Sequence, residues 1–151
     1  MLWSSSSLFS IASFADVAIA SINLLHTNYR YLKYLMLATE RLAEIEAKFG
    51  HMVERIVPIE LDGETLRLII YLKDGTNLRI TEQWEGPTLK RYSYYWLTST
   101  NKLKIGWDNA PHHTRLETFP HHKHVKRQEN LQPSKETNLE EVMKVILGEE
   151  D

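Results

Sequence analysis

VERIVPIELDGETLRLIIYLKDGTNLRITEQWEGPTLKRYSYYWLTSTNKLKIGWD, residues 53–108, decides the fold. Five short runs within it, VERIVPIEL, TLRLIIYL, NLRITEQW, RYSYYWLT and KLKIGWD, are rich in β-branched and aromatic residues. Between them stand DGE, DGT, EGPT and STN, which is turn chemistry. Asp62-Gly63 and Asp74-Gly75 are strong hairpin signals, because glycine supplies the positive φ that tight reversals need. The pattern predicts an antiparallel meander of about five strands. Pro58 has no N–H to give a ladder, so it places the first strand at an edge or a bulge. In the fourth run Tyr92, Tyr94 and Trp96 alternate with Ser93, Tyr95 and Leu97, which makes one face strongly aromatic.

Ahead of the strands the period changes. Leu8, Ile11, Ala15, Ile19, Ile22, Leu25, Tyr29, Leu32, Leu35, Leu42 and Ile45 recur at three- and four-residue steps. This predicts a helical stripe from about Ser7 to Phe49, broken near His26-Thr27-Asn28 and stopped at Gly50. An apolar face of that length exceeds what a small sheet covers, which suggests a partner helix or a homodimer through this segment. Residues 8–25 are apolar, but no basic residue precedes them, and Asp16, Asn23 and the serines would be costly in lipid. The expectation is a cytoplasmic protein with no stable membrane association. Beyond the strands, the polar stretch KRQENLQPSKETN leads to a short helix. Asn138 is its N-cap, Glu140 and Glu141 fill its first turn, and Leu139, Val142, Val145 and Ile146 share one face. The fold class is therefore α+β: an N-terminal helical segment, the meander and a C-terminal short helix. Residues 1–30 are read as a helical extension and 31–151 as a single domain.

The chain has 151 residues, enough for one domain with a real core, and no cysteine. Disulfides, thiolate metal sites and a cysteine nucleophile are excluded, so a metal would need imidazole, carboxylate or water. The net charge of −2 conceals an asymmetry. Nine Lys/Arg face three acids between Thr88 and Lys135, whereas the tail from Glu136 carries six acids against Lys144. A basic block of this kind suits a phosphate-bearing partner or a solvated face.

Within that block lies WDNAPHHTRLETFPHHKH, Trp107 to His124, which holds five of the seven histidines. Pro111 and Pro120 oppose a continuous helix, so the segment reads as a strand end, a shaped loop and a returning extended piece from His121 to Val125. On that piece His122 and His124 point to one side, and His121 and Lys123 to the other. Four chemistries fit. The imidazoles could act as acid and base on a phosphodiester, with His112 or His113, His122 or His124, and Lys123 or Arg115 as base, acid and cation. His122 and His124 with Asp108 or His113 could hold a divalent metal. The histidines could dock nucleic-acid phosphates with Lys123, Lys126, Arg127 and the Tyr92/Tyr94 face. Or they could satisfy loop carbonyls around an Asp108-Asn109 turn. The Arg115-to-His121 spacing also matches a motif of helical HEPN ribonuclease toxins, but Pro120 directly before His121 argues against it.

YSYYWLTSTNKLKIGWDNAPHHTRLETFPHHKH followed by QPSKETNLEEVMKVI resembles the TumE family of prokaryotic toxin–antitoxin toxins, over roughly Tyr31 to Ile146. The resemblance implies a small cytoplasmic toxin of a type II pair, neutralised by an antitoxin that carries a DNA-binding helix-turn-helix. Asp108, Asn109, His112, His113, His121, His122 and His124 are the matching polar positions. The function expected is a toxin acting on RNA through the histidine loop by metal-independent acid–base cleavage, with no cofactor. The alternatives are a non-catalytic nucleic-acid or protein binding module and a metal-dependent nuclease or phosphotransfer enzyme.

Overall fold

The structure is a computed structural model and describes residues 37–148. The expected helical stripe is met there by a helix over residues 37–49, α1; its earlier part, the extension 1–30 and the homodimer contact proposed for it lie outside the described residues. Gly50 ends α1 for a local reason. Its N–H bonds the Glu46 carbonyl at 2.9 Å, and a Cβ at this position would stand only 2.5 Å from the same oxygen.

Seven strands follow: β1 (Arg55–Asp62), β2 (Thr65–Tyr71), β3 (Asn77–Glu85), β4 (Thr88–Leu97), β5 (Leu103–Asp108), β6 (His122–Val125) and β7 (Leu131–Pro133). They form one sheet in sequential order, every neighbouring pair antiparallel. The meander is as expected, but it has seven strands rather than five. The returning piece at His122 pairs fully with β5, and the polar stretch beyond it supplies β7, three residues with no apolar alternation to announce them. Pro58 meets both of its expectations, since β1 is an edge strand and its register shifts between Pro58 and Glu60. Gly63 and Gly75 hold positive φ at the two Asp-Gly turns, at 47° and 83°.

The chain ends in α2 (Leu139–Leu147), capped as its sequence indicates. The Asn138 side chain accepts from the Glu141 amide at 3.0 Å, and Glu141 in turn accepts from the Thr137 amide at 2.6 Å. Ile45 and Phe49 of α1 and Leu139, Val142 and Met143 of α2 pack on one face of the sheet against Leu66, Leu68, Ile70, Leu78, Ile80, Tyr92, Tyr94 and Trp107. Arg41 ties the layers together, bonding Glu82 of β3 at 3.0 Å and Glu140 of α2 at 2.9 Å.

The sheet's other face carries the candidate site. Strand parity sends Arg79 and Thr81 of β3, Arg91, Ser93 and Tyr95 of β4, Gly106 and Asp108 of β5, and His122 and His124 of β6 away from the helices. The loop between β5 and β6 folds over one end of this face.

Candidate functional site

Antiparallel pairing of β5 with β6 sets Asp108 directly opposite His122 and Gly106 opposite His124. Because side chains alternate, Asp108, His122 and His124 share one face and meet. Asp108 Oδ1 lies 3.0 Å from His122 Nε2, and Oδ2 lies 3.7 Å from His124 Nε2. All three residues are buried, at 8%, 0% and 7% exposure.

The far nitrogen of each imidazole is anchored to backbone. His122 Nδ1 is 2.9 Å from the Pro120 carbonyl, and His124 Nδ1 is 2.6 Å from the Gln128 carbonyl. A carbonyl can only accept, so both Nδ1 atoms carry a proton, and each ring turns its Nε2 toward Asp108. The 3.0 Å approach of His122 Nε2 to Asp108 is close, yet its alignment is not that of a hydrogen bond, and this buried nitrogen has no hydrogen-bond partner. Asp108 Oδ1 also accepts from the Ala110 amide at 3.0 Å, which fixes the turn out of β5.

His112 and His113 stand over this inner group. The His113 ring centroid is 4.8 Å from that of His122 and 6.2 Å from that of His124, while His112 lies 4.3 Å from His113. His112 is exposed and His113 half-buried. Partial desolvation, and then the neighbouring imidazoles of His112, His122 and His124, hold His113 below the ordinary histidine pKa, so its neutral form prevails at neutral pH.

The remaining predicted residues divide. His121 and Lys123 face the helix side, as strand parity required, and so stand apart from the cluster. His121 Nδ1 is 2.9 Å from the Tyr92 hydroxyl, and Lys123 pairs with Glu136 at 3.1 Å. Asn109 is a clamp: its amide donates to the Lys90 carbonyl and its oxygen accepts from the Tyr92 N–H, both at 2.9 Å. Arg115, Lys126 and Arg127 are exposed. The expectation that Tyr92 and Tyr94 offer a face to bases is corrected, since they stack on each other at 4.8 Å inside the core. The segment that holds Arg115 and His121 is turn rather than helix, so the HEPN-like spacing carries nothing.

The open-face residues were missed by the sequence reading. A cleft of about 500 Å³ runs beside the cluster, bordered by Thr81, Arg91, Tyr95, Asp108, His112 and His124. The Tyr95 ring lies flat on Gly106, where a Cβ would come within 2.6 Å of it. A second cleft continues along the same face past Arg79 and Arg67, and Tyr95 borders both. The missed signal was the alternation itself: Arg91, Ser93 and Tyr95 share a parity opposite to the aromatic one.

An antiparallel sheet with helices on one face, and a histidine-lined cleft opening on the other, defines a small α+β protein with a polar, imidazole-rich site. The family model described as Toxin TumE matches residues 43–150, more than half of the chain, and the chain belongs to that family. No curated protein and no solved structure matches it. As a toxin of such a family it implies an antitoxin partner. Among the described residues, no helix is long and apolar enough to cross a membrane.

Proposed function

We propose that this toxin cleaves RNA at the histidine cluster. The observation that carries the reading is the continuity of the open sheet face with the cluster. Arg79, Arg91, Thr81, Ser93 and Tyr95 form a cationic and hydrogen-bonding floor that leads to His112, His124 and Asp108, with His113 packed against His112. Such a floor suits a single strand, whose phosphates seek guanidinium and whose bases seek an aromatic ring. Arg91 makes no ion pair among the described residues, so its charge is available. Asp108 is the carboxylate bordering the first cleft, and it stands at the end where chemistry would occur.

At that end His113, neutral at neutral pH, takes the proton of a ribose 2′-hydroxyl. The oxygen attacks the adjacent phosphorus, and His112 gives a proton to the departing 5′-oxygen. The products are a 2′,3′-cyclic phosphate and a free 5′-hydroxyl, with one proton taken and one returned. The ring nitrogens of His112 and His113 make no hydrogen bond among the described residues, which leaves them free for this exchange. The antitoxin would carry a helix-turn-helix domain and neutralise the toxin in the cytoplasm.

The test is purified chain incubated with a labelled single-stranded RNA. Wild type should yield fragments with cyclic-phosphate ends. His112→Ala should lower the rate by about 10²-fold or more with little change in melting temperature. RNA that is bound but left intact would assign the face to binding alone.

A further inference from the structure

We infer that Asp108, His122 and His124 hold a divalent transition-metal ion. Each imidazole donates from Nδ1 to a backbone carbonyl, at 2.9 Å and 2.6 Å, so each turns its Nε2 inward. The carboxylate they meet is an acceptor, with its oxygens 3.0 Å and 3.7 Å from the two nitrogens. With both Nε2 atoms and the carboxylate converging on one point, a bound cation would engage all three at once. His122 Nε2 is fully buried and no protein group among the described residues hydrogen-bonds it, so it is a buried polar atom in need of a partner.

The spacing suits an ion. Donor atoms bound at about 2.0–2.2 Å in a tetrahedron lie roughly 3–4 Å from one another, and the donor atoms of this trio all fall within 4.8 Å of each other. The carbonyls behind the imidazoles are the outer partners that orient metal-bound histidines. Two imidazoles and a carboxylate favour zinc, manganese or iron(II) over magnesium or calcium. Three protein ligands leave a position open, the pattern of a catalytic rather than a structural ion. His112 and His113 stand close by, their rings 5.5 Å and 4.8 Å from that of His122, and a group of His112, His113 and His122 also falls within 4.8 Å. The inner trio is preferred because backbone groups fix all three of its ligands.

Such an ion would also add a charge at the cluster itself, beyond the guanidinium of Arg91 on the cleft floor. Phosphodiester cleavage needs a cation near the phosphorane, and Lys123 is turned to the other face and paired with Glu136. Only this use of the ion rests on the RNA reading; its binding does not.

The experiment is a titration of chelator-stripped full chain with cobalt(II) chloride, followed by visible absorption and by equilibrium dialysis. One equivalent should bind with ligand-field bands, zinc should displace it and magnesium should not. Asp108→Asn and His124→Gln should each weaken binding by about tenfold or more. Failure of wild type to take up cobalt or zinc would overturn the inference, as would uptake unchanged in both variants. Should one variant fail to fold, the wild-type titration and the other variant still decide. RNA cleavage measured in parallel separates the two proposals. Cleavage by metal-free chain with no uptake sinks the ion and keeps the ribonuclease; uptake without cleavage does the reverse.

Discussion

Gly106 and Tyr95 show how one residue shapes the cleft. Gly106→Ala would place a methyl 2.6 Å from the Tyr95 ring, so the ring must leave its seat on β5. The expected cost is about 1–3 kcal/mol, read by urea denaturation. In a Tyr95→Ala background the same change should cost far less, so the double-mutant cycle should show strong coupling; additive costs would mean that the ring does not rest there. Which histidines come together was only partly legible at this scale. Their number and the i, i+2 pair were plain in the sequence. The partner of that pair was not, because bringing Asp108 opposite His122 depends on the register of β5 with β6, which a thirteen-residue loop conceals. The parity of Tyr92 and Tyr94 was correctly read, but parity alone does not say which face the helices will cover.

Among the elements, the two helices are held to the sheet by apolar burial and by one cation. Arg41 reaches Glu82, which is fully buried, and Glu140 on α2. Replacing Arg41 with methionine strips a buried carboxylate of its counter-charge, although the Trp84 indole and Tyr94 hydroxyl still donate to it at 2.9 Å. The expected loss is about 3–5 kcal/mol, and converting Glu82 to glutamine in the same chain should recover part of it; thermal unfolding of both variants checks this. Asn138→Ala removes the α2 cap and should cost about 1 kcal/mol, a small fall in melting temperature. Elements were legible where local chemistry marks them: Gly50, the Asp-Gly turns, Pro58 and the Asn138 cap. β7 was not, since Leu131–Pro133 is held by pairing with β6 and has no pattern of its own.

Across the whole molecule, pH dependence follows from depressed carboxyls: exposed Asp74, lowered by Thr76, and the partly buried Glu136 and Glu140. Burial would raise the carboxyl of Glu136, but its own amide, Ser134 and Lys123 outweigh that and hold it below the ordinary 4.5. Glu140 is likewise lowered, burial being overcome by Arg41. A depressed carboxyl stabilises the fold above its unfolded pKa, and that contribution is lost as pH falls through the folded value. The melting temperature should therefore decline on acidification below about pH 4.5, and Glu136→Gln should flatten that decline. The charge layout has the same scale. The basic block, visible in the sequence, is divided by the sheet: Lys123 is spent on the helix side, whereas Arg91 joins Arg79, from outside the block, on the open face.

The central claim, that the histidine cluster attacks RNA, is tested most directly in a living host that expresses this chain without its antitoxin. Growth and total RNA would be followed for wild type beside His112→Ala and His113→Ala at equal protein levels. The account predicts arrest and fragmented RNA with wild type, and neither with the two variants. Arrest with intact RNA, or fragmentation undiminished in both variants, would contradict it.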